Sequence, residues 1–178
     1  MTKNCPLEVN VADPIALELA PGARVIWDLD AVRRMAPAGA SEPESLWTLE
    51  GELEDFELLR VLSAAFEDGR AVLFAAARPE GAAGHGEEVT AAAVVGKRGP
   101  QEVSEPLVST EYAADGSPRR VTLELWLEDE DYPLRGAGEA TAVATQTDDE
   151  GVERAGAALR MRLDGKNGAG AYEIARNL

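Results

Sequence analysis

Thiol and imidazole are nearly missing from this chain of 178 residues, which has one cysteine, Cys5, and one histidine, His85. One cysteine forms no internal disulfide, and nothing points to an oxidising compartment. A zinc centre built from Cys and His is excluded by ligand count. A Ser-His-Asp or Cys-His-Asn site would have to use His85, inside Gly81-Ala82-Ala83-Gly84-His85-Gly86. A loop that rich in glycine holds a general base too loosely for such catalysis. Positive charge is scarce too: 17 Lys+Arg against 33 Asp+Glu leave a net charge of −16. Nucleic acid and anionic membrane surfaces need a cationic footprint, so neither is expected as a partner. The acidic surplus reads as solubility. The longest apolar run, Ala71 to Ala77, is far too short to span a bilayer, and Met1 to Asn10 lack a signal-type apolar stretch. The expectation is a cytoplasmic protein with no membrane insertion and no cofactor.

Nucleotide fingerprints are absent as well. Gly96-Lys97 is followed by Arg98 and lacks the earlier glycine of a phosphate loop. Gly136-Ala137-Gly138 lacks the third glycine of a dinucleotide turn. Both read as turn or bulge glycines. The acidic runs Glu128 to Asp131 and Asp148 to Glu150 lack the spaced acids of a calcium loop and read as solvated hairpin tips. No metal site is expected.

What is present is a regular series of turns. With 45% hydrophobic residues a chain of this length buries roughly 70% of its unfolded surface. From residue 56 onward, Asp68-Gly69, Pro79 to Gly86, Lys97 to Pro100, Ala114 to Pro118, Glu128 to Pro133, Asp148 to Gly151 and Asp164 to Gly168 punctuate the sequence. Such pairs supply the positive or fixed φ of tight turns. They delimit about eight segments, most of strand length. Val121, Leu123, Leu125 and Leu127 alternate with Arg120, Thr122 and Glu124. Ala155, Ala157, Leu159, Met161 and Leu163 alternate with Arg154, Arg160 and Arg162. One apolar and one charged face on successive strands predicts an all-β fold, an antiparallel up-and-down barrel over 56–178. Residues 1–55 are broken by Pro6, Pro14, Pro21, Pro37 and Pro43. They read as an appendage with a strand over 23–29, a short helix capped by Asp30, and a capping box at Ser41 to Glu44. Residues 49–66 fit either period; the Asp68-Gly69 hairpin favours a strand from 56.

Candidate site residues follow from that frame. Arg60 shares its expected inward face with Phe56, Leu58, Leu62 and Phe66. A guanidinium there needs a ligand, an internal acid such as Glu111 or Glu139, or a bulge that turns it outward. Trp27 and Trp47 either fill core or form a lid over the barrel mouth. With Phe74, Leu123, Leu125 and Met161 they complete the expected ligand-binding set. Arg60 and Tyr112 are candidate donors to a substrate carbonyl, and Glu111 and Glu139 candidate acids. Alanines at 75–77, 91–93 and 140–144 suggest interior volume left for a ligand, or closely packed sheets.

The Phe66-Glu67-Asp68-Gly69 hairpin, the Tyr112 to Pro118 segment and the closing Asp164-Gly165-Lys166-Asn167-Gly168 run through Tyr172-Glu173 carry a resemblance. Over about 56–177 the chain resembles the lipocalin-like barrels that include hydroxyneurosporene synthase-like and tocopherol cyclase-like proteins. It lacks their His/Trp-rich motif and their second barrel. A small single barrel with an N-terminal appendage also resembles bacterial spiro-ring cyclases, which act by four-plus-two cycloaddition. The resemblance implies a Diels-Alderase-type cyclase or isomerase for a polyketide- or terpenoid-derived intermediate in natural-product, including antibiotic, biosynthesis. The alternative is a non-catalytic carrier of a small hydrophobic molecule. A homodimer is compatible with either.

Overall fold

A computed structural model describes residues 14–35, 46–83 and 87–178. Cys5, His85 and the Ser41 to Glu44 capping box lie outside the described residues. Eight strands form a closed antiparallel barrel: β4 (Phe56–Phe66), β5 (Ala71–Pro79), β6 (Val89–Gly96), β7 (Gly99–Tyr112), β8 (Pro118–Leu127), β9 (Leu134–Thr147), β10 (Glu153–Leu163) and β11 (Lys166–Arg176). Each pairs with its sequence neighbour, and β11 closes on β4. This is the up-and-down barrel that the alternation predicted.

The hairpins β4–β5, β6–β7, β8–β9 and β10–β11 make one end of the barrel, its base; the other connections make the rim. The base half of the interior is filled by Phe66, Phe74, Leu125, Met161 and Leu163, all buried. Burying each such side chain contributes about 1.5–3 kcal/mol. Gly138 and Gly168 permit this filling. A Cβ at Gly138 would lie 2.2 Å from Met161 Sδ, and one at Gly168 would lie 2.5 Å from the Phe66 ring. The Gly136-Ala137-Gly138 glycines therefore belong to strand β9, under large cross-strand neighbours, and not to a turn.

The wall opens toward the rim at two seams. β6 bonds β7 only from Ala93–Gly96 to Gly99–Glu102. β8 bonds β9 only as far as Arg120 and Glu139, although β9 continues to Thr147. Pro106 lies on the part of β7 that has no bonds to β6, where a missing N–H costs nothing.

The N-terminal region corrects the lid expectation. β1 (Ile15–Ala20), β2 (Ala23–Trp27) and β3 (Trp47–Gly51) form a separate antiparallel sheet, with α1 (Leu29–Arg34) between β2 and β3. The helix cap is Asp28, which accepts from Ala31 N, not Asp30. Val25, Trp27, Leu29 and Val32 pack on Leu59, Val61, Leu73 and Ala75, the outward side chains of β4 and β5. The described part of the appendage covers the outer wall, not the mouth. Trp27 is wholly buried there, and its Nε1 donates to Ser63 Oγ at 3.0 Å.

The same packing explains the alanines. Ala71, Ala75, Ala77 and Ala91 face outward, where small side chains let the sheet approach, while Ala76 and Ala92 face inward. Of the alanines that suggested interior volume, Ala75, Ala77 and Ala91 serve sheet-on-wall packing instead.

Candidate functional site

Strand periodicity places Arg60 inside. It pairs with Ala76 on β5 and Ile174 on β11, both lumen-facing. Its side chain is only 3% exposed. The long guanidinium arm crosses the interior to β7, where Nη1 donates to Val108 O at 3.0 Å; the same Nη1 donates to Tyr172 OH of β11 at 3.1 Å. That carbonyl lies where β7 has parted from β6, so Arg60 satisfies an acceptor that the sheet leaves open. Nη2 donates to Glu88, and the two side chains form an ion pair with each 3% exposed. Arg60 also stands over the Phe74 ring, 5.5 Å from its centroid.

Tyr172 completes a bar across the barrel. Its hydroxyl shares a 2.7 Å hydrogen bond with Thr110 Oγ1. β11 and β7 lie four places apart in the eight-strand ring, so this bond joins opposite walls. Burial raises the Tyr172 phenol above its ordinary range against the pull of Arg60, so it is a neutral donor at neutral pH. Burial alone would lower the Arg60 guanidinium, but Tyr172 and Glu88 outweigh it and hold the group charged. One atom of this network is unsatisfied. Arg60 Nε is fully buried and has no hydrogen-bond partner among the described residues. A buried N–H without an acceptor costs about 1–3 kcal/mol, and an incoming oxygen removes that cost.

Of the expected ligand-binding residues, Leu58, Leu62, Phe74, Leu123, Leu125 and Met161 do line the interior, and Arg60 joins them. Phe56 does not. A register shift between Phe56 and Leu58 sets Glu57 as an extra residue and turns Phe56 onto the outer cluster with Leu53. Trp27 and Trp47 belong to the outer cluster as well. Glu111 and Glu139 are exposed on the outer wall, Glu111 beside Arg120 and Glu139 between Arg120 and Arg160. They form a cross-strand ladder of alternating charge and supply no interior acid. Tyr112 sits at the rim, 38% exposed, with Arg176 stacked 5.4 Å from its ring centroid. Arg176 also donates to Gly116 O at 3.3 Å, tying the β7–β8 turn to the opposite wall.

Two residues of the site, Glu88 and Tyr172, are not among the candidates that the sequence offers. Glu88 has the parity of Ala92 and Thr90, one step before β6 begins, but the adjoining Gly-rich stretch hides it. Tyr172 has the parity of Gly170 and Ile174 on the last strand. Arg60, Glu88 and Tyr172 together can hold an oxygen acceptor in the rim half and supply charge-assisted donation to it. Among the described residues no cluster of metal-ligating side chains occurs. Compared with known protein families and with curated proteins, the chain matches none.

Proposed function

We propose that the protein binds a hydrophobic small molecule bearing a carbonyl group in the rim half of its barrel, and closes a ring within it. The reading is that of a cofactor-independent cyclase or isomerase of the four-plus-two type, acting on a polyketide- or terpenoid-derived intermediate. Arg60 Nε, buried and without an acceptor among the described residues, carries the proposal. Its neighbours fix the guanidinium plane before any ligand arrives, and preorganised donors are the most effective kind. A carbonyl oxygen on Nε–H draws electron density from a conjugated alkene, which speeds cycloaddition to a diene in the same chain. Every bond made or broken lies within the substrate, so no nucleophile or base is needed. Apolar walls that fold the chain remove entropy from the barrier, a contribution that reaches about 7–11 kcal/mol in well-oriented cases. The likeness to lipocalin-like and spiro-ring cyclase barrels supports the same reading.

Native mass spectrometry of the purified protein, followed by chromatography of the released compound, tests it. The expected result is one hydrophobic molecule per chain, absent from Arg60→Met. Incubation with an acyclic precursor should release an isomer of equal mass with one more ring. Release of an unchanged compound makes the protein a carrier, and failure to bind any apolar carbonyl compound refutes the site.

A further inference from the structure

The outer wall carries a cleft of about 230 Å³ beside Trp47 at the free edge of the N-terminal sheet, over β4, β9, β10 and β11. Its floor is apolar and small: Leu59, Ala144, Gly156 and Ala175. Gly156 is the cross-strand partner of Glu173, so the wall beside that carboxyl is bare backbone. Glu173 Oε2 accepts from Trp47 Nε1. Its other oxygen has no partner among the described residues. Burial holds the carboxyl above its ordinary range, against the pull of the Trp47 bond and the field of Arg154. Arg154 lines the same cleft yet makes no hydrogen bond or ion pair among the described residues. The cleft thus holds an acid and a base that attract each other without meeting.

We infer that this outer cleft binds a small zwitterion, a free amino acid with an apolar side chain. The ammonium sits on the free oxygen of Glu173, the carboxylate on Arg154, and the side chain lies against Trp47 and Leu59. A ligand with only one charge leaves either the half-buried carboxyl or the guanidinium uncompensated, and so binds more weakly. This site is independent of the barrel interior. It differs from a plain anchor of β3 in needing Arg154, which takes no part in holding Trp47.

The test is titration of the full chain with L-leucine, followed by calorimetry and by the indole N–H signals in NMR. Isopentylamine and 4-methylpentanoate serve as the single-charge probes. Leucine should bind and move the Trp47 indole signal. Each single-charge probe should bind at least about tenfold more weakly, the cost of losing about 1.4 kcal/mol. Glu173→Gln keeps an acceptor for Trp47, and Arg154→Gln alters an exposed side chain; both should weaken leucine at least about tenfold with the melting transition retained. No leucine binding, equal binding of either single-charge probe, or unchanged affinity in Arg154→Gln would overturn the inference.

Discussion

Replacing Glu88 by Gln probes the bar across the barrel most sharply. The substitution keeps shape and one acceptor oxygen but removes the negative charge beside a guanidinium that is 3% exposed. Arginine cannot shed its proton to escape, so the positive charge stays buried without a counterion. Removing one partner of such a pair costs about 3–5 kcal/mol. For a chain of this size each kcal/mol moves the midpoint by roughly 2–4 °C, so melting should fall by roughly 10 °C. Arg60→Met combined with Glu88→Leu removes both charges and keeps apolar volume. That double variant should recover a large part of the Glu88→Gln loss, because the desolvation of two ions is no longer required, while Val108 O and Tyr172 OH lose their Arg60 donor. Differential scanning calorimetry of the parent, Arg60→Met, Glu88→Leu and the double variant measures the coupling. A Glu88→Gln midpoint within about 2 °C of the parent, or a double variant as unstable as the summed singles, would refute the claim of a buried, mutually compensating pair. The double variant should also lose apolar carbonyl ligands while remaining folded, separating function from stability.

Three further outcomes follow from the same geometry. Tyr172→Phe removes the hydroxyl that Arg60 and Thr110 share and should cost about 1–3 kcal/mol in urea unfolding, since two partners lose a bond in a buried site. Gly138→Ala places a methyl 2.2 Å from Met161 Sδ; overpacking should cost about 1–3 kcal/mol, and Met161→Ala in the same chain should recover part of it. Glu173 has a raised folded pKa, so the folded state binds more protons than the unfolded state between the two pKa values, and stability falls as pH rises through that window. Glu173→Gln should abolish that slope in pH-dependent unfolding just above the ordinary carboxyl range, and an unchanged slope would contradict the assignment.

How far the residues announce the structure depends on whether one period governs them. Val121 to Leu127 and Ala155 to Leu163 alternate without interruption, and both run as read, apolar inward. The barrel follows from those strands and the turns between them. Phe56 breaks the rule because one extra residue, Glu57, reverses its side, and a bulge leaves no mark in an apolar pattern. Arg60 was legible as an inward charge, yet its counterion was not. Glu111 and Glu139 were the acids at strand positions, while Glu88 stands beyond the end of β6, where periodicity stops informing. Trp27 and the alanines at 75 and 77 misled for a shared reason. A β-strand buried on both faces shows no polar side, so sequence alone cannot tell the lumen from a wall covered by a second sheet.

Arginine side-chain NMR offers the most direct test of the central claim, that Arg60 Nε–H is a donor waiting for a ligand oxygen. With 15N-labelled arginine, one Nε–H resonance should be assignable to Arg60 by its loss in Arg60→Met. Addition of a long-chain α,β-unsaturated ketone should move that resonance downfield, while the saturated hydrocarbon of equal length should not. A resonance unmoved by the ketone, though the ketone binds the barrel, would contradict the account.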